Sequence, residues 1–350
     1  MSRQITFSEA ILEATELSML ADENVIVIGL GVPDPKGIFG TTLGLLEKFG
    51  DSRVFDAPTS ENALSGIILG ASIMGARPII THQRVEFALL GIEQMINQAA
   101  KWSYQTGGKM NAPLVVRLII GRGWGQGPQH SQSLESWFAH IPGLKVVMPS
   151  NPSDAKGLLT ASISDNNPVI FLEHRWLYNT VGRVPDNYYQ TPIGKANVCR
   201  EGDDLSIVAY SCMVPQAIYC AELLKRYGVS VEVVDLRSLR PLDEETVLKS
   251  VTKTGRLVAL DVGWSRCGVA AEVIAFVVGQ IFDKLKSPPL RCSLKDVPIP
   301  SSKALANLVY PSIDEIIALC QKSLGTVFAI DQKRIIKNSD VPDKSFVGPF

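Results

Sequence analysis

RVFDAPTSENALSGIILGASIMG (residues 53–75) decides the fold. Arg53-Val54-Phe55 is a β-type run, and Ala57-Pro58-Thr59-Ser60 supplies the punctuation that ends it. Helix-start residues follow, then the apolar run Leu64, Ile67, Ile68, Leu69 with Gly66, Gly70 and Ala71 on one side. Small residues at i and i+4 let another backbone approach, so this helix is expected to bury that face against a partner helix. The helix carries one carboxylate near its start, Glu61. Taken alone, an acid in the first turn complements the helix dipole by a few tenths to about 1 kcal/mol.

Working outward, strands alternate with helices. Residues 7–20 have helical spacing, and Val25–Leu30 is a continuous apolar run of the kind found in buried parallel strands. GLGVPDPKG (29–37) is no dinucleotide fingerprint, because prolines stand where a phosphate-cradling helix would start. Strands are expected at Arg77–Thr81, Leu114–Ile120, Leu144–Met148 and Val169–Glu173, with a long helix near Phe87–Tyr104 and a glycine-rich loop at 121–128. This alternation argues for a parallel sheet covered on both faces. Residues 175–191 loosen into a polar connection. Strands at Leu205–Tyr210, Val231–Leu236 and Leu257–Val262, with helices near Val214–Tyr227, Asp243–Lys253, Val269–Phe282 and Ile313–Leu324, make a second α/β unit. The expected division is 1–190, 191–325 and a tail, 326–350, with no assignable role.

At 350 residues two domains are the natural division. Apolar content of 46% with 34 basic against 35 acidic side chains describes a globular protein with no electrostatic reason to bind nucleic acid. Six cysteines without a Cys-x-x-Cys pair point to buried thiols in a reducing compartment rather than to zinc or disulfides. The N-terminus has neither a signal-peptide core nor transit-peptide composition, and no run approaches the roughly 20 apolar residues of a membrane span. The expected location is cytoplasmic.

Seven segments in order, RVFDAPTSEN (53–62), IEQMINQAAKWSYQTGG (92–108), QHSQS (129–133), HIPGLKVVMPSNPSDAKGLL (140–159), DNNPVIFLE (165–173), VVDLRSLRPLD (233–243) and KDVPIP (295–300), carry a resemblance. The chain resembles the beta subunit of the thiamine-diphosphate-dependent decarboxylase component of 2-oxo acid dehydrogenases, of the pyruvate, branched-chain and acetoin type, within the transketolase-like superfamily. The resemblance implies two doubly wound α/β domains, pyrimidine-binding first and a smaller transketolase C-terminal-like domain second. It implies decarboxylation of a 2-oxo acid with the acyl unit passed to a lipoyl group on an acyltransferase. A transketolase-like carboligase adding the acyl carbanion to an aldehyde, ketone or sugar is the alternative, and a non-catalytic structural partner a further one.

By the same resemblance Glu61 hydrogen-bonds the aminopyrimidine and favours the tautomer that acts as base, which calls for a buried carboxyl. Phe87 stacks on the pyrimidine, although core packing explains a lone phenylalanine equally well. Thr59 and Gln83 lie beside the cofactor, and His130 faces the substrate carbonyl. THQRVEF (81–87) departs from the family's acidic-aromatic, apolar stretch, which makes His82 and Arg84 substrate candidates for a ligand with hydroxyls or an extra carboxylate. Backbone carbonyls near Leu114, Ser162, Ile163, Asp165 and Asn167 are the counterpart of a structural K+ site. A Gly-Asp-Gly with a later Asn for Mg2+ is missing, since Gly202-Asp203-Asp204 has no fitting partner. The diphosphate and Mg2+ are therefore expected on an alpha subunit, two alpha with two beta chains.

Overall fold

The computed structural model describes residues 2–122 and 125–330. The tail from 331 onward, and residues 123 and 124 of the glycine-rich loop, lie outside the described residues. Two sheets dominate. The first has seven strands in the order Ser238–Arg240, Lys145–Val147, Val169–His174, Val115–Ile120, Arg77–His82, Val25–Ile28, Val54–Phe55. All neighbours are parallel except Ser238–Arg240, which runs antiparallel along Lys145–Val147. The second has five, in the order Leu290–Leu294, Leu257–Trp264, Leu205–Ala209, Val231–Asp235, Asn197–Arg200, with only the last antiparallel.

The central strands explain why the sheets are parallel and covered. Every residue of Val115–Ile120, Val169–His174, Leu205–Ala209 and Val231–Asp235 is buried, so neither face can meet water and helices must pack on both. Helix starts are set by side-chain oxygens. Thr6 and Glu9 form a capping box at Phe7–Ala21, Ser312 and Glu315 another at Ile313–Leu324, and Asn151 caps Pro152–Ser164. Among the described residues no helix is long and apolar enough to cross a membrane.

Four expectations change. The 175–191 connection is not wholly loose, because Val181–Pro185 pairs antiparallel with Ser2–Thr6. The long helix near Phe87–Tyr104 is broken into a short helix Val85–Ala88, a 3-10 turn Leu89–Gly91, a π-helical stretch Gln94–Ala99 and a helix Ala100–Gln105. Gly91 lies at this break and lets the chain pass close to its neighbour: a Cβ there would stand 2.3 Å from Ser65 Oγ and 2.9 Å from the Glu61 carbonyl oxygen. The close approach to the Glu61–Ile73 helix is thus made by Gly91. The helix buries Leu64, Ser65, Ile68, Leu69 and Ser72, while a Cβ on Gly70 would meet nothing and Ile67 and Met74 are exposed. Of the cysteines, Cys267 is exposed and Cys199 half-buried, because Cys267 lies in the loop after Leu257–Trp264; the other four are buried.

The two sheets are stitched together. Met148 N donates to Arg237 O at 2.8 Å, Arg237 pairs with Asp154 at 2.8 Å, and Ser150 bonds Asp235. A second seam is acidic: Glu135 of the first unit meets Tyr210 and Asp261 of the second, with Glu135 Oε1 3.2 Å from the Tyr210 hydroxyl, which also bonds Asp261. Burial, and then the Asp261 carboxyl, push Glu135 up from 4.5 to about 8. The folded chain therefore keeps a proton that the unfolded chain releases above about 4.5. Stability from this group is complete below that pH, falls as pH rises, and is lost through about 8. Glu135→Gln, which cannot titrate, is expected to flatten the pH profile of the melting temperature across this window. A profile parallel to the parent's would refute the assignment.

Candidate active site at the carboxyl edge of the first sheet

Ligands in open α/β sheets collect beyond the carboxyl ends of the strands, where the chain turns away into loops. Here Val25–Ile28, Val54–Phe55 and Arg77–His82 end side by side and open a narrow cleft. Its walls are Gly29 and Leu30 from the first strand's exit, Ala57 to Thr59 from the second, and Thr81 to Gln83 from the third, with Glu61, Leu64 and Phe87 above. Glu61 opens its helix, so its carboxylate stands where the helix's unpaired N–H groups point. Among the described residues none hydrogen-bonds it. It is half-buried rather than buried, because its outer side faces away from the chain.

Phe87 and His130 come together with ring centroids 5.4 Å apart. His130 ends the turn Pro128–His130, and its Nδ1 is buried with no hydrogen-bond partner among the described residues. His82 is buried, and burial pulls it down to about 4, so it is neutral at physiological pH. Thr59 sits exposed on the rim. Gln83 Nε2 is spent on Leu30 O at 3.0 Å, tying two cleft loops together. Arg84 turns from the cleft and donates to Gly121 O at 3.1 Å. The structure thus lines the cleft with Glu61, Phe87, Thr59, His82 and Gln83, places His130 behind Phe87, and turns Arg84 towards Gly121.

The cleft is a narrow slot of about 30 Å³ that joins apolar faces to one polar edge. Apolar Leu30, Leu64, Ile80 and Phe87 offer faces, Glu61 an edge acceptor. Thr81 Oγ1 and His82 Nε2 are buried polar atoms with no partner among the described residues, and both residues line the cleft.

Two groups escaped sequence reasoning. Glu86, beside Phe87, accepts from Gln132 N at 2.7 Å and is pushed up by burial, its Oε2 having no partner among the described residues. Its position one residue before Phe87 was the available signal. Arg117, visible only as a charge interrupting an apolar strand, makes a bidentate pair with Glu173 at 2.6 and 3.0 Å, both side chains fully buried.

The proposed K+ carbonyls have another use. Arg77 Nη1 donates to Ile163 O and Asp165 O, both at 3.1 Å, and Leu114 O accepts from Val169 N. The Arg77 guanidinium thus already donates to two of the five carbonyl positions. Gly202-Asp203-Asp204 is a turn before Leu205–Ala209, with Asp204 Oδ2 accepting from Ser230 N at 2.7 Å. Among the described residues no group of three or more His, Cys, Asp or Glu side chains is placed to hold a metal ion.

Residues 3–180 match the family described as transketolase, pyrimidine binding domain, and residues 194–316 the transketolase C-terminal domain. A solved structure titled split gene transketolase, inactive beta4 tetramer, superposes with a TM-score of 0.76 at 20% identity, covering 92% of this chain and 98% of that one. The class is therefore a two-domain transketolase-like protein. The beta subunit of acetoin:2,6-dichlorophenolindophenol oxidoreductase from Cupriavidus necator is 43% identical over 334 residues, 93% of this chain and 98% of its own. The beta subunit of the pyruvate dehydrogenase E1 component from Rickettsia bellii is 40% identical, covering 91% and 98%, and that from Rhizobium meliloti 42%, covering 91% and 70%. The chain belongs to this family of beta subunits of thiamine-diphosphate-dependent 2-oxo acid dehydrogenases.

Proposed function

We propose that this chain holds the aminopyrimidine end of thiamine diphosphate in the Glu61 cleft. With an alpha partner it then decarboxylates a 2-oxo acid and passes the acyl unit to a lipoyl group. The observation that carries this is Glu61 at the mouth of a cleft walled by Phe87 and by two unpartnered buried polar atoms. When bound, the cofactor supplies a carbon nucleophile that adds to the 2-oxo group. Glu61 holds or takes a proton at a ring nitrogen, Phe87 orients the ring and keeps water from one face, and His130, braced on Phe87, offers a hydrogen bond to the substrate carbonyl. The diphosphate and Mg2+ fall to the alpha partner. Residues 1–190 act as the pyrimidine-binding half and 191–325 as the second.

The open side of Glu61 and the exposed Ile67, Gly70 and Met74 on the same helix support a partner chain covering this helix. The test is calorimetry of thiamine diphosphate with magnesium, first with this chain alone and then with the alpha partner. Binding only in the mixture is expected. Tight binding by the isolated chain would overturn the divided site.

A further inference from the structure

The loop that carries His130 is held at two points by consecutive residues of one short helix. In Val85–Ala88, Phe87 meets the His130 ring at a centroid distance of 5.4 Å, and Glu86 Oε1 accepts from the backbone N–H of Gln132 at 2.7 Å. Consecutive side chains on a helix point about 100° apart, so one residue reaches the imidazole and the other the main chain two residues beyond it. The remaining backbone ties are looser. Gly121 N reaches Gln132 O at 3.4 Å and His130 N reaches Gly127 O at 3.4 Å, both beyond the usual range, whereas the Glu86–Gln132 bond has the length of a charge-assisted one. Pro128 and Gln129, just before the histidine, are exposed.

Stability alone does not account for an acid at this position. Burial raises the Glu86 carboxyl, against the pull of the Gln132 N–H and of the Arg84 charge, and Oε2 has no partner among the described residues. An acid kept in such a place with one oxygen unused costs stability, and costs of this kind concentrate at working sites. The clamped loop shows the same pattern. His130 Nδ1 and Ser131 Oγ are buried and have no partner among the described residues. The two short segments thus present three polar atoms for bonds that the described residues do not fill.

We propose that Glu86 is a positioning residue: by holding the Gln132 backbone while Phe87 holds the imidazole, it fixes His130 where the histidine meets the substrate carbonyl. This rests on the role given to His130 under the proposed function. Glu86 is not among the residues that line the cleft, so it acts through His130 rather than on the ligand. Its contribution is orientation, and a displacement of about 1 Å in a catalytic group is worth up to about a hundredfold in rate.

The experiment uses the full chain assembled with its alpha partner. Hydrogen exchange reads the loop directly, and decarboxylation kinetics read the chemistry, with whichever of pyruvate, 2-oxoisovalerate and 2-oxoglutarate the parent enzyme turns over fastest. Glu86→Leu should lower the protection of the 129–133 amides by about tenfold. It should lower kcat by about 10- to 100-fold, with KM and thiamine diphosphate binding little changed. Glu86→Gln keeps an acceptor at the same reach and should restore most of both losses. Glu86→Asp retracts the acceptor by one carbon and should repeat the leucine pattern in milder form, which decides the matter where the leucine variant does not assemble. In a His130→Ala background the Glu86 changes should cost nothing further, because the group they orient is gone. Protection lost without loss of kcat, an equal further loss in the His130→Ala background, or parent-like loops and rates in the leucine and aspartate variants would each overturn the positioning role. His130→Ala with the parent's turnover would sink the substrate role of His130 and the clamp together, whereas additive losses beside a damaging His130→Ala sink the clamp alone.

Discussion

Glu61→Gln in the assembled enzyme is expected to lower turnover by about 10²- to 10⁴-fold, the usual worth of a positioned acid–base group. Glutamine keeps the length of the side chain and can still hydrogen-bond, so the cleft wall of Ala57, Thr59, Leu64 and Phe87 is undisturbed. What it loses is the ability to hold a proton at one moment and release it at the next. The carboxylate has no other duty to confuse the result, since among the described residues none hydrogen-bonds it. Single-turnover decarboxylation and cofactor binding, measured side by side, separate chemistry from loading. A large fall in rate with thiamine diphosphate still bound is the expected pattern, and unchanged turnover would dismiss Glu61 from catalysis.

The second large effect concerns stability. Arg117→Met leaves Glu173 in the middle of the first sheet with Tyr178, at 3.0 Å, as its remaining side-chain hydrogen-bond donor among the described residues. Breaking one half of a fully buried pair costs about 3–5 kcal/mol, because the surviving charge has neither water nor a counter-ion. Thr41 loses its guanidinium donor as well. Replacing both partners, Arg117→Met with Glu173→Leu, should recover most of the loss, since no charge is then stranded. Denaturant unfolding of the two variants distinguishes these cases, and a double variant as unstable as the single one would mean that packing, not charge, sets the cost.

Sequence made the scaffold legible wherever a strand is buried on both faces. Val115–Ile120, Val169–His174 and Val231–Asp235 are apolar enough to be seen as runs, and the helix Ile313–Leu324 is marked by its Ser312 cap and Gly325 stop. Strands that lean on a partner rather than on their own composition were not legible. Asn197–Arg200 has four half-buried residues, Ser238–Arg240 is three residues long, and Val181–Pro185 buries only Val184; each is held by pairing that no local pattern announces. At the site, the family resemblance pointed to Glu61, Phe87 and His130; Glu61 and Phe87 line one cleft, and the His130 ring packs on Phe87 at 5.4 Å. The partnerships of Arg84, Arg117, Arg77 and Glu135 join segments about 40 to 90 residues apart, and only the folded chain shows what each one meets.

The strand Ser238–Arg240 belongs by sequence to the second half and by hydrogen bonding to the first, where it finishes the sheet edge at Lys145–Val147. The two halves are therefore poor units of exchange. A chimera joined in the 181–193 connection would graft onto the first sheet an edge strand from another lineage, along with its own versions of Asp235 and Arg237, which must meet Ser150 and Asp154. Recombination between relatives would succeed most readily where both sides of that clasp travel together, so that the pair of domains is inherited as one piece even though each has a sheet of its own.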